Sequence, residues 1–90
     1  MYMGKVVGSV VSTQKDTSLV GRKLMIVRQV DSNGEPMSRE EVAADTVGAG
    51  IGEYVLIVRG AGARHSFNEN TSQQEVMDAA IVGIIDRFDK

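Results

Sequence analysis

Apolar, β-branched residues along this chain fall into short runs instead of recurring at helical spacing. Lys5–Val11 (KVVGSVV), Leu24–Val30 (LMIVRQV), Tyr54–Val58 (YVLIV) and Ala80–Ile85 (AIVGII) are each of strand length, with Gly, Ser, Asp or Asn at or near their ends. Together they predict four β-strands, and Glu41–Thr46 (EVAADT) predicts a weaker fifth. Asp31-Ser32-Asn33-Gly34 carries the Asn-Gly turn signal, and the loop continues through Glu35-Pro36-Met37, longer than a tight hairpin needs. Gly48-Ala49-Gly50-Ile51-Gly52 is a second break. Parallel strands would need crossover helices, for several of which the chain has no room, so an antiparallel sheet is expected.

Two segments speak for helix. Ser38-Arg39-Glu40-Glu41 and Ser72-Gln73-Gln74-Glu75 both match the capping box that begins helices. The second precedes VMDAAIVGIIDRF, where β-branched Ile81, Val82, Ile84 and Ile85 and the interrupting Gly83 favour strand. A turn of helix within Asn70–Val76 stays open as an alternative.

YVLIV and AIVGII are apolar at consecutive positions, although successive strand side chains point to opposite faces. Both faces therefore call for burial, while one small barrel has one interior. A neighbouring copy is the natural cover, so the pattern predicts a homo-oligomer.

Ninety residues make a single domain, 1–90, with a modest core that gains from association. Aromatics are 4% of the chain (Tyr2, Tyr54, Phe67 and Phe88), so the core is expected to be Val, Ile, Leu, Met and Ala. The net charge is −2 with both signs interspersed, and no basic run is present to track phosphates. With no cysteine there is no disulfide framework, thiolate zinc site or cysteine nucleophile. No apolar run reaches bilayer length, and the N-terminus MYMGKVVGSVVS lacks the long apolar core of an export signal. These features lead to the expectation of a soluble, cytoplasmic protein that engages neither nucleic acid nor membrane.

Candidate chemistry is sparse. Gly48-Ala49-Gly50 imitates the start of a dinucleotide fingerprint, but the third glycine is misplaced and a strand follows where a helix N-terminus should hold the phosphate. A tight loop with positive φ is the simpler reading. His65 is the only histidine and has no partner fixed by sequence, which reads as a solvated loop residue. Asp45, Glu53, Asp78 and Asp86 are scattered acids whose default role is to cap turns and pair with Arg. Arg59 and Arg64 flank a glycine-rich turn and read as partners in surface or inter-subunit ion pairs. Ser9, Ser12 and Thr13 have no triad context, and the methionines read as packing. No enzyme is predicted, and no cofactor or metal.

Several segments, in order, resemble the EutN/CcmL family. They are Gly4–Lys15 (GKVVGSVVSTQK), Leu19–Val27 (LVGRKLMIV), Val42–Leu56 (VAADTVGAGIGEYVL), Ala61-Gly62-Ala63-Arg64, and Asp78–Asp86 (DAAIVGIID). The resemblance implies an all-β fold, a small five-stranded barrel related to the OB-fold with at most short helical turns. It implies a homopentamer that caps the fivefold vertices of a bacterial microcompartment, beside hexameric shell proteins and without catalysis. An OB-like module for a small ligand or nucleic acid is the alternative, although the stacking aromatics and basic stripe of such a face are not evident. A small enzyme acting through His65 or an acid pair is a third.

Within that frame, Gly48, Ala49, Gly50, Ile51 and Gly52 are expected near the fivefold axis, where small residues let five backbones converge and backbone N–H groups line a narrow opening. Ser12, Thr13, Lys15, Glu53 and Arg64 are expected at the subunit contact, with the Ser12–Lys15 loop as the competing candidate for the axis. Ile51 and Ile57 are both expected to be buried. The polar Arg64–Val76 stretch departs from the family pattern and is expected to face solvent or a neighbouring tile.

Overall fold

A computed structural model describes residues 1–13, 16–60 and 78–90. Five strands, β1 (Tyr2–Val10), β2 (Lys23–Val30), β3 (Pro36–Asp45), β4 (Tyr54–Arg59) and β5 (Ala79–Ile85), close into a barrel in the order β1-β2-β3-β5-β4. A 3-10 turn, Thr17–Leu19, is the only helical element among the described residues. Its N-cap Asp16 accepts from the Ser18 amide at 2.9 Å. The all-β, five-stranded barrel is therefore as expected.

Four of the five strand contacts are antiparallel, and β3 meets β5 in parallel through Ala44↔Ala80 and Asp45↔Ile81. No crossover helix is needed for that pair. Strand β4 runs back between β3 and β5 in sequence, so β5 returns in the direction of β3. The purely antiparallel expectation fails at this closing seam alone.

Strand β3 also begins earlier than the sequence indicates. Ser38–Glu41, with its helical capping-box pattern, is strand: Arg28 faces Glu40 and Val27 faces Glu41 across the β2–β3 ladder. Ladder hydrogen bonds and the Arg28–Glu40 ion pair (3.6 Å) outweigh a weak local helix signal. Pro36 takes the first strand position, where its missing N–H does least harm. Between β2 and β3, Asp31 accepts from the amides of Asn33 (2.8 Å) and Glu35 (3.1 Å), and Gly34 turns the chain at φ +80°.

Inside the barrel, Val6, Met25, Val27, Ala43, Val55, Ile57 and Ile81 are fully or almost fully buried. The interior is narrow enough to require a glycine. A Cβ on Gly4 would stand 2.6 Å from Ile57 Cδ1 and 3.1 Å from the Arg28 carbonyl oxygen. Outside, the registers align Leu24, Ala44, Ala80 and Val58 across β2, β3, β5 and β4. Leu19 from the 3-10 turn packs on this second cluster, with Val82 beside it. The strands are indeed apolar on both faces, and the chain covers part of the outer face itself.

Candidate functional site

The loop from Thr46 to Glu53 is held from within. The Asp45 side chain, 1% exposed, accepts from the amides of Val47 (3.0 Å), Gly48 (3.1 Å) and Ala49 (2.9 Å). Lys23 Nζ lies 3.5 Å from the same carboxylate and donates to the Ala49 carbonyl at 3.0 Å. Glu53 accepts from the Gly50 amide at 2.6 Å. The loop is sewn to β1 by Gly52 N to Val6 O (2.7 Å) and Val6 N to Glu53 O (2.9 Å). Gly48 (φ +80°) and Gly52 (φ +96°) supply the left-handed backbone expected of a tight loop.

This geometry alters one expectation. The amides of Val47 to Gly50 donate to the protein's own carboxylates, so they are not free to line an opening. Ile51, at the tip, is 65% exposed on the single subunit, whereas Ile57 is fully buried in the core. The expected burial of both therefore holds for Ile57 and fails for Ile51 within one chain, because a loop tip has no inward face.

The other sequence-derived positions are less informative. Ser12 is half-buried and Thr13 exposed, both just beyond the end of β1. Lys15, Arg64, His65 and the whole Arg64–Val76 stretch lie outside the described residues. Of the scattered acids, Asp45 and Glu53 cap the loop, Asp78 lies 3.6 Å from Arg59, and Asp86 is exposed. Capping and pairing account for the first three. Among the described residues no three His, Cys, Asp or Glu side chains converge as metal ligands, and no helix is long and apolar enough to cross a membrane.

Sequence reading missed a polar cluster assembled from β1, β3 and β4. The Tyr2 hydroxyl donates to Glu41, Arg59 pairs with the same carboxylate, and the Arg59 guanidinium sits 5.1 Å from the Tyr2 ring centroid. Partial burial, and next the hydrogen bond to a negative neighbour, hold the Tyr2 phenol well above its ordinary pKa. Glu41 thus ties three strands together. No sequence signal pairs residues this far apart without the register.

Exposed apolar residues complete the picture. Val7, bulged between Val6 and Gly8, is 40% exposed, and Val42 is 51% exposed. Between them, half-buried Ile26 packs over Gly8. An open groove of ≈ 440 Å³ is lined by Met1, Tyr2, Met3, Val30, Met37 and Leu56, with Gln29 and Asp31 among its polar lining.

A small closed barrel of this kind, with a rigid capped loop and apolar surface left over, defines a class of protein that works by association. Comparison with known proteins specifies that class. Residues 1–86 match the EutN/CcmL family model, described as ethanolamine utilisation protein EutN/carboxysome, and the chain belongs to this family. It is 50% identical over 90 residues to the microcompartment shell vertex protein PduN of Salmonella typhimurium, covering 96% of each chain. The solved pentameric microcompartment shell protein GrpN of Rhodospirillum rubrum superposes with a TM-score of 0.87 at 44% identity, covering 100% of this chain and 99% of that one. CcmL of Nostoc sp. PCC 7120 gives 0.84 at 52% identity, with 96% and 88% covered.

Proposed function

We propose that this chain is a structural subunit of a bacterial microcompartment shell, working as a single domain over residues 1–90 in the cytoplasm. Five copies close into a ring that caps a fivefold vertex, against hexameric shell proteins at its perimeter, without catalytic turnover. The observation that carries this reading is the end-to-end likeness to a pentameric shell protein, with a TM-score of 0.87 over essentially the full length of both chains. The apolar residues exposed on the isolated subunit support it, because ring closure offers them cover.

Within the ring, Gly48, Ala49, Gly50, Ile51 and Gly52 face the fivefold axis, and Ser12, Thr13, Lys15, Glu53 and Arg64 lie at or beside the subunit contact. Because Asp45 and Glu53 hold the loop amides, an axial junction built from this loop is tight and apolar at Ile51 instead of being a ring of free N–H donors.

Co-expression with a hexameric shell protein tests the role. Electron microscopy should show closed polyhedra with a tag on this chain at the corners, and particles with open corners when the chain is left out. Equally closed shells in both cases would refute it.

A further inference from the structure

Aromatic residues are scarce in this chain, and one of them, Phe88, falls in the segment after β5 that has no regular structure. The family match stops at residue 86, just ahead of it. Within Asp86–Lys90, Phe88 alone is half-buried, and its four neighbours are exposed. Its ring meets that of Tyr54 edge to face, with 5.3 Å between centroids and 75° between planes.

Tyr54 opens β4, where it pairs with Lys5 on β1 and Ile85 on β5. Lys5 Nζ stands 5.6 Å from the same ring centroid. The hydroxyl end of Tyr54 lies against the β2–β3 turn, since a Cβ on Gly34 would stand 3.0 Å from that oxygen. Two residues beyond Phe88, Lys90 Nζ donates to Asn33 Oδ1 of the same turn at 2.9 Å. The segment after β5 therefore touches both Tyr54 and the turn that Tyr54 supports.

That turn belongs to one side of the methionine-lined groove. The β1–β2 ladder begins at Gly4↔Gln29, whereas Tyr2 and Met3 pair with β4 through Ile57 and Leu56. The groove lies in the fork where β1 and β2 part. Met1, Met3 and Leu56 line one wall, and Val30, Asp31 and Met37 of the β2–β3 hairpin line the other.

We infer that Asp86–Lys90 is a strap, with Phe88 as its peg, that pins the β2–β3 turn to Tyr54 and so fixes the hairpin wall of the groove. With the strap released, the turn keeps its own bonds, Gly34 N to Asp31 O and Asp31 N to Glu35 O (both 2.9 Å), but loses its tie to β4 and β5. The two walls are then free to part. This device lies within one subunit and does not depend on the ring.

Hydrogen exchange and methionine-methyl NMR on the full chain test it, comparing the wild type with Phe88→Ala and with a deletion of residues 87–90. Exchange at the Asn33, Gly34 and Glu35 amides should accelerate about two- to tenfold in Phe88→Ala, the factor an aromatic pair of this kind contributes. The Met37 methyl signal should shift, while that of Met25, 2% exposed in the core, should stay in place. Phe88→Leu keeps most of the volume without the ring; it serves if Phe88→Ala does not fold, and should show a smaller change in the same amides. Unchanged turn exchange in the Phe88 variant and in the deletion overturns the strap. Equal acceleration at the turn and at the core amides of Val55, Ile57 and Ile81 also overturns it, because Phe88 would then serve the whole barrel. A faster turn with an unmoved Met37 signal overturns the link to the groove.

Discussion

Replacing Asp45 by alanine strips one nearly buried carboxylate from three backbone amides and from Lys23 at once. The three amides are not equivalent. Ala49 is buried, so its N–H has no ready access to water and its loss carries the penalty of an unmade hydrogen bond, about 1–3 kcal/mol. Val47 and Gly48 are exposed, and water replaces the carboxylate there at roughly 0.5 kcal/mol each. Lys23 is more than half exposed, so its ion pair adds little. The sum is about 2–4 kcal/mol, which for a domain of this size lowers Tm by roughly 10–30 °C. Thermal denaturation at one fixed protein concentration is the assay, because association shifts Tm by mass action. Asp45→Asn keeps one neutral acceptor and should lose about half as much. Hydrogen exchange at the Val47, Gly48 and Ala49 amides should accelerate in parallel. An Asp45→Ala protein that melts within about 5 °C of the wild type would refute the idea that this carboxylate holds the loop.

Other predictions follow from named contacts. Ile57→Asp places a charge in the closed core and should abolish folding, whereas Ile51→Asp should leave the barrel's circular dichroism intact and break the ring; equal melting curves for the two would contradict the burial assignment. Gly4→Ala should cost about 1–3 kcal/mol by forcing a Cβ onto Ile57 Cδ1, and adding Ile57→Val, which removes that atom, should recover part of it in a double-mutant cycle. Tyr2 is held protonated in the folded barrel beyond its ordinary pKa of 10.0. Its contribution is therefore complete below that value and is lost as the pH rises above it, where the unfolded chain ionises first. Denaturant titrations of Tyr2→Phe should lack this alkaline decline; an identical pH profile would remove the assignment.

Strands β4 and β5 were plain in the sequence because YVLIV and AIVGII are short, β-branched and closed off by turn residues. The first half of β3 was not. Every residue from Pro36 to Glu40 is exposed, so no face is buried and no alternation marks the strand; pairing with β2 creates it. Two-faced apolarity in the sequence correctly announced that the outer sheet surface is apolar as well as the inner one. It did not reveal that Leu19 covers part of that surface from within the chain. Ile51 and Ile57 look alike in sequence, and only the loop tip and the inward strand position separate them. At Asp45 a signal existed, an acid just ahead of a glycine-rich turn, which favours side-chain capping. The Tyr2–Glu41–Arg59 cluster had none, since its members meet only once three strands are in register.

The central claim is that this barrel exists as one wedge of a closed ring. Native mass spectrometry of the unmodified protein at micromolar concentration measures that most directly. A single species at five times the 9.7 kDa chain mass, persisting on dilution, is the predicted result. A folded species at the single-chain mass would contradict it.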